Sequence, residues 1–383
     1  MDDQHQHPLL VRRDHDDEAR QQFARSLRAH LLSEVQQGVR HLVAAKAATA
    51  GPITDRHQVR EMLAEHPYYR TFSASLRTAQ ERIWDSVIDA VEKDHARLKS
   101  AFLGAGAEAP TAGSLRLNPD LVIPDYHATV DIHLQPGGYH TEQDADDIAA
   151  GAIYDRAVFL YANGRFGNQT QLMGETLVEA LRLALPDVRP ARILEIGCTV
   201  GNSITPYTAA FPEAEIHAID VAAPCLRYAH ARAEALGAAI HFSQQNAEKT
   251  DFEDGSFDLV VSHILMHETS DKAVKNVMAE CNRLLAPGGL MAHAETPPYE
   301  GMEPFDAFML DWDSTNNNEP FWRRSHELDL PKLTTGAGFD ADKMFSVMAP
   351  SAYQIADAER SGTFQGGDFG GGGVWFIYGC EKA

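Results

Sequence analysis

Two histidines four residues apart, with an acid beside the second, give this chain its clearest group for moving a proton: His263, His267 and Glu268 in HILMHE. Histidine titrates near neutral pH, and that is what a base acting on a hydroxyl requires. His267 is the first candidate for such a base, with His263 and Glu268 behind it. On a helix the two imidazoles would share a face and supply half of a zinc site. His263, however, closes an apolar run that reads as a strand, and no third ligand is evident. No metal is therefore expected. His293 and Glu295 end another apolar run and point by topology toward the same cleft. His217 and His241 lie inside such runs, where satisfied core histidines are the default.

A second constellation spans residues 192–220. The run RILEIG ends in an acid and a glycine, Glu195 and Gly197; Gly201 follows four residues later; and EIHAID ends in Asp220. A strand, a tight turn and a helix arranged in this way hold a nucleoside beyond the strand ends, where glycine lets the backbone approach the ligand. A dinucleotide fingerprint of the form GxGxxG would place Thr199 and Asn202 where glycines are needed, which disfavours a nicotinamide cofactor.

The elements that must position these groups follow from the rest of the pattern. After Pro190, short β-like runs alternate with helical stretches, as a parallel sheet covered on both faces requires. The strands are RILEIG, EIHAID, AIHFS, FDLVVSH, LMAHAE, KMFSVM and VWFIYGC, with helices near 203–210, 224–236, 270–285 and 326–339. The expected fold is α/β: a Rossmann-like, seven-stranded, mostly parallel sheet with flanking helices, plus an N-terminal helical domain. That domain covers 1–103. Its helices fall at about 16–46, 55–65 and 72–102, the last with an apolar stripe of Phe72, Leu76, Ala79, Ile83, Val87 and Ala90. Residues 104–141 read as a linker and an extended arm with a turn at 136–138, after which Tyr139 and His140 could face a cleft. Residues 142–189 read as a helical lid leading into the core at 190–383, which carries an insertion at 296–327. The glycine-rich stretch in 362–373 lacks the lysine of a P-loop and reads as a mobile connection or flap.

Composition narrows the partners. The 383 residues carry a formal charge of -22, which repels nucleic acid over most of the surface. No apolar run reaches membrane length, the acidic start does not resemble a signal peptide, and the four cysteines show no paired spacing, so a cytoplasmic protein with reduced thiols and no membrane partner is expected. His5, His7 and His15 are loosely spaced in a polar terminus that reads as disordered.

Taken together, LEIGCTVGN, Asp220 after the second strand, Asn246-Ala247-Glu248 after the third, FDLVVSHILMH and NRLLAPGG resemble the core of the class I S-adenosylmethionine-dependent methyltransferases, in the group of small-molecule and quinone-biosynthesis enzymes. The resemblance runs from about Pro190 to the C-terminus. It implies S-adenosyl-L-methionine as cofactor and S-adenosyl-L-homocysteine as product. Glu195 would orient the methionine portion. Gly197 and Gly201 would bring the loop against the cofactor, with Cys198, Thr199, Val221 and Glu248 alongside. Asp220 would take the ribose hydroxyls, a role suited to a carboxylate that accepts two O–H donors. Asn246 and Ala247 would meet the adenine, and His263 the sulfonium end. Where the family commonly has a third glycine this chain has Thr199, so the loop must take a conformation that a β-branched residue permits.

In this fold acceptor specificity is usually built from insertions and from residues N-terminal to the core. The candidates are Tyr299, Trp312, Asn316, Trp322 and Arg323 in the insertion, with Phe308, Asn317 and Phe321, and Tyr154, Tyr161, Arg165 and Phe166 from the preceding helices. The expected reaction is methylation of a small molecule at oxygen, either carboxylate or hydroxyl. The pair Arg323-Arg324 makes a carboxylated acceptor attractive, since guanidinium holds a carboxylate at two points. A carbon acceptor of the quinone kind and a non-catalytic binding protein are the alternatives. The N-terminal helices could serve a homodimer.

Overall fold

The structure, a computed structural model, describes residues 4–104, 113–350 and 374–383. Its centre is an eight-stranded sheet: β1 Ser114–Arg116, β2 Arg192–Ile196, β3 Glu215–Asp220, β4 His241–Gln244, β5 Phe257–His263, β6 Leu285–Glu295, β7 Met344–Pro350 and β8 Val374–Glu381. The order is β1-β4-β3-β2-β5-β6-β8-β7, parallel through β6 and antiparallel from β6 to β8 and β7. β8 is wedged between β6 and β7.

Seven of these strands are the expected ones. β1 is an addition from within the predicted linker and arm, laid parallel along β4 with Ser114 opposite His241. The arm is otherwise not extended as expected. Pro124 precedes a helical turn at Asp125–Ala128, and Ile132–Leu134 is a second short turn with His133 and Leu134 at positive φ. The turn at 136–138 is present, closed by a hydrogen bond from the Gly138 N–H to the Gln135 carbonyl at 2.9 Å.

Side-chain alternation along the strands divides the core between the two faces of the sheet. Ile193, Ile216, Ala218 and Val261 pack on one face against the helices Leu172–Ala184 and Ala223–Ala235. Leu194, Ile219 and Val260 pack on the other against Asp271–Leu284. The parallel order runs outward from β2 in both directions, so β2 and β5 flank the switch point where such a sheet binds its ligand.

The N-terminal helices are His15–His30, a π stretch at Leu31–Val35, Gln36–Ala50, Arg56–Leu63 and the long Pro67–Gly104. Asp55 caps the fourth element by accepting from the N–H groups of His57 and Gln58. Pro67 begins the long helix, where its missing N–H costs nothing. These helices share apolar cores with later parts of the chain. Phe72, Leu76 and Ala79 pack with Phe305, Phe308 and Trp312 of the helix Pro304–Asn316, and Ile83, Val87 and Ala90 pack with Ile148, Phe159 and Leu160. The N-terminal segment is not a loose tail. Leu9 and Val11 are buried in the same core, and His7 Nε2 lies 3.2 Å from the buried carboxylate of Asp155. None of the helices among the described residues is long and apolar enough to cross a membrane. The glycine-rich stretch at 362–373 lies outside the described residues.

Candidate active site

Beyond the carboxyl ends of β2, β3 and β5, where a sheet of this order binds its ligand, lies a cleft. The turn after β2 forms its floor. Gly197 has φ +74°, a conformation that favours glycine, and a Cβ there would lie 2.5 Å from Leu265 Cδ1 and push that side-chain tip aside. Thr199 adopts the left-handed region too, with φ 46°. Its N–H donates to Asp220 Oδ2 at 2.9 Å, and the Asp220 carboxylate takes the Ala222 N–H on Oδ1 at 2.9 Å. The loop thus accommodates threonine at a position that ordinarily favours glycine, held there by the acid at the end of β3. Asp220 keeps lone pairs free and, with Val221, Asn246 and Ala247, lines the cleft.

Glu195 is buried below this turn. Its Oε1 meets His263 Nδ1 at 2.7 Å, while Oε2 has no hydrogen-bond partner among the described residues. Burial raises the Glu195 carboxyl, and His263 works against that rise. A buried carboxylate oxygen without a partner is costly, and an ammonium group arriving in the cleft would satisfy it. Glu195, Gly197, Cys198 and Thr199 also line a smaller recess beside the main cleft, shared with Tyr154 and His263. The residues expected to hold S-adenosylmethionine therefore lie around one cleft and its recess, and the acid expected to face the amine has an unpartnered oxygen. Glu248 is the exception. It is absent from the cleft lining and instead accepts from the Tyr126 hydroxyl at 3.1 Å and the Asn276 amide at 2.7 Å.

The proton-moving set is arranged differently from the expectation. His263 is engaged at both ring nitrogens, with Nε2 3.2 Å from the Tyr207 hydroxyl, so it is not free to act as a base. His267 sits behind the cleft wall, stacked on Trp322 with ring centres 5.0 Å apart, its Nδ1 held by Glu295 Oε2 at 2.9 Å. His293 hydrogen-bonds Ser262 Oγ at 2.8 Å, and burial with His263 nearby pushes its pKa down to about 3, so it stays neutral. Glu268 alone of the HILMHE acid and base groups both lines the cleft and keeps an unpaired oxygen, Oε2.

Two residues that the sequence did not single out complete this wall. His133, on the arm, places Nε2 3.0 Å from Glu268 Oε1 and pairs through Nδ1 with Glu319. Burial opposes its protonation, but Glu319 and Glu268 outweigh that and lift its pKa well above the ordinary histidine value. His133, His267, Glu268 and Glu319 each offer one ligand atom, all within 4.8 Å of one another. The sequence offered His263 and His267 as half of a site with no third ligand, whereas this cluster leaves His263 out and joins His267 and Glu268 to His133 and Glu319. The added ligands lie 134 residues before and 52 after His267, so local spacing carries no trace of them.

Of the acceptor residues expected from sequence, only Tyr154 lines the main cleft, where it meets Tyr139 edge to face at 5.4 Å. Tyr139 does face the cleft as anticipated, while His140 packs against the His127 ring outside its lining. The others serve packing. Tyr161 lies under the Arg28 guanidinium at 3.6 Å, Tyr299 under Arg56 at 4.1 Å, and Arg165 is exposed. Trp312 donates to Ser73 Oγ at 2.7 Å within a shared core, Asn316 bonds back to the Trp312 carbonyl of its own helix, and Trp322 donates to Thr296 Oγ1 at 2.9 Å. Phe166, from the smaller recess, also packs on Trp375. Aromatic residues in the insertion fasten it to the N-terminal helices, a burden that large apolar side chains carry more often than recognition.

The two arginines are likewise committed. Arg323 pairs with buried Asp311, which also receives Arg60, and Arg324 pairs with Asp271. Neither arginine lines the cleft. Arg323→Ala is accordingly expected to lower stability by less than about 1 kcal/mol, since the pair is partly exposed, and to leave the KM for any acceptor within about twofold. A KM raised tenfold or more in steady-state assays would return Arg323 to the acceptor site.

Comparison with known proteins places residues 193–289 on a family model described as a methyltransferase domain. The chain is 34% identical over 119 residues to a demethylmenaquinone methyltransferase of Thermus thermophilus, covering 31% of this chain and 53% of that protein. It is also 34% identical over 125 residues to a malonyl-[acyl-carrier protein] O-methyltransferase of Methylococcus capsulatus, covering 31% and 42%. The chain thus spans about half the length of the curated relatives it matches. Among solved structures, phosphoethanolamine N-methyltransferase 2 of Haemonchus contortus in complex with S-adenosyl-L-methionine aligns at 17% identity and a TM-score of 0.44, over 60% of this chain and 57% of that one.

Proposed function

We propose that residues 193–289 form a class I S-adenosylmethionine-dependent methyltransferase domain and that the whole chain uses it to methylate a small-molecule acceptor at oxygen. The observation that carries this reading is the buried Oε2 of Glu195, unpartnered among the described residues, at the end of the strand before the turn that Asp220 holds through the Thr199 N–H. When bound, S-adenosylmethionine supplies a methyl group on a positively charged sulfur, which needs only alignment and a dry site to be transferred. Glu195 would hold the amino group, Asp220 the ribose hydroxyls, and Val221, Asn246 and Ala247 the adenine. His263 keeps Glu195 in place, itself fixed by Tyr207.

The acceptor would enter between Tyr139, Tyr154 and Tyr126 on one side and the His133–Glu268 wall on the other. Glu268 is the group placed to act on an acceptor hydroxyl, with His267 and Glu295 behind it. Because Arg323 and Arg324 are paired elsewhere, a hydroxyl is favoured over a carboxylate. The aromatic lining also supports a second reading, a flat quinone-like acceptor methylated at carbon, in keeping with the relative named for demethylmenaquinone.

Calorimetric titration of S-adenosylhomocysteine into the full chain is expected to show one site, and Glu195→Gln, which keeps a hydrogen-bonding shape but removes the charge facing the amine, should weaken it by about tenfold. No binding to the native chain would overturn the reading and favour a non-catalytic role. Transfer of labelled methyl to a panel of small alcohols, carboxylic acids and quinols, with the product bond identified by mass spectrometry and NMR, decides between oxygen and carbon.

A further inference from the structure

We propose that His133, His267, Glu268 and Glu319 bind one divalent first-row transition-metal ion in the wall of the cleft. The four side chains are gathered at close range, with Glu268 facing Nε2 of His133 and Glu319 facing Nδ1, so that one of the two carboxylates must turn to share an ion with the other. Two imidazole nitrogens and two carboxylate oxygens lie within 4.8 Å of one another, and the edges from Glu268 Oε1 to His133 Nε2 and His267 Nε2 are 3.0 and 3.8 Å. They bracket the roughly 3.4 Å edge of a tetrahedron with ligands about 2.1 Å from its centre. A mixed nitrogen and oxygen set of this kind suits zinc, manganese, iron or cobalt better than calcium or magnesium.

Two independent observations point to a missing cation. Glu268 Oε2 and Glu319 Oε2 are buried and lack a hydrogen-bond partner among the described residues. Glu295 adds a third carboxylate in contact with His267, so three acids surround two imidazoles. The surroundings are also those of a ligand set. Glu295 takes the Nδ1–H of His267 at 2.9 Å, which turns Nε2 toward the cluster, the arrangement by which carboxylates orient metal-bound histidines. The Asn317 amide lies 3.1 Å from Glu319 Oε1 and steadies that ligand.

His133 and Glu268 line the cleft, so the ion's remaining positions open toward the acceptor. This part of the inference rests on the methyl-transfer reading. The ion would bind an acceptor hydroxyl and lower its pKa, so that the proton passes to the unpaired Oε2 of Glu268 as the oxygen bonds to the methyl carbon and the carbon–sulfur bond breaks to leave S-adenosylhomocysteine.

The test uses the full chain, stripped with a chelator and dialysed. Titration with Zn2+ is expected to show one tight site per chain, and Co2+ should give the visible bands of a low-coordinate ion that Zn2+ then bleaches. His133→Gln and Glu319→Gln should weaken Zn2+ by at least the roughly 10–100-fold that loss of an outer-sphere partner costs, and Glu295→Gln by about that amount. His15→Ala, at an exposed N-terminal histidine, should leave it unchanged. Failure of the native chain to bind Zn2+, or equal binding by His133→Gln and Glu319→Gln, would overturn the proposal. Should a variant not fold, protection of the partly exposed His133 by Zn2+ from diethyl pyrocarbonate in the native chain, mapped by mass spectrometry, decides the same question. S-adenosylhomocysteine titrated separately keeps the two readings apart: loss of its binding with Zn2+ binding intact refutes the methyltransferase reading alone.

Discussion

The affinity of the Asp220→Ala chain for S-adenosylhomocysteine is expected to fall at least about 100-fold below that of the native chain. Each ribose hydroxyl donated to a carboxylate contributes about 1.5–3 kcal/mol, and alanine forfeits both. A further loss comes from the protein itself. Asp220 holds the N–H groups of Thr199 at 2.9 Å and Ala222 at 2.9 Å, so its removal frees a turn already obliged to place threonine at positive φ. Asp220→Asn, which still accepts through one oxygen, should lose less. Calorimetry on both variants, with circular dichroism to confirm folding, reads the effect, and an Asp220→Ala chain that binds like the native one would sink the placement of the ribose.

The largest effect on stability is expected from Asp155→Ala, at about 3–5 kcal/mol. Asp155 is buried among the Tyr228 hydroxyl at 2.7 Å, His7 Nε2 at 3.2 Å and Arg232 Nε at 3.8 Å. Deleting the carboxylate strands the Arg232 guanidinium without its counter-charge in a site only 1% exposed. Burial by itself would raise the Asp155 carboxyl, but the His7 hydrogen bond, Arg232 and Tyr228 prevail and hold it at about 2. The unfolded chain releases this proton near ~3.9, above the folded value, so the stabilisation is complete above about pH 4 and drains away as pH falls toward 2. It amounts to about 2–3 kcal/mol. Acid unfolding of the native chain should therefore steepen across that window, and Asp155→Asn should flatten it. Equal slopes would show that Asp155 does not hold the N-terminal segment to the helix Ala149–Tyr161.

What was legible in the sequence was whatever depends on neighbours along the chain. FDLVVSH became β5 with the same bounds, Phe257–His263, because a continuous apolar run buried on both faces leaves little choice of structure. Glu195, Gly197 and Asp220 converge because β2 and β3 are adjacent and in register, with Glu195 opposite Ala218. β1 escaped notice because three residues of mixed exposure on a sheet edge carry no period. His133 and Glu319 escaped for a different reason. They meet the HILMHE acid through a folded arm and an insertion, and a lone histidine before a glycine turn looks the same whether or not an acid waits across the cleft. The insertion aromatics misled because size and apolarity serve a core and a pocket equally, and here Trp312 and Phe308 fill a core with Phe72.

The position of β8 has a consequence for how the protein is made. Translation delivers β6 and β7 before the strand that must sit between them, so a nascent chain that has extruded residues up to 350 carries two open strand edges and no way to join them. Val347 and Met348 remain 44% and 49% exposed even after the sheet closes, which makes β7 a sticky ribbon during that interval. Refolding from denaturant, where all strands are present at once, should consequently yield more soluble protein than synthesis slowed between codons 350 and 374, and holdase chaperones should matter most at that stage.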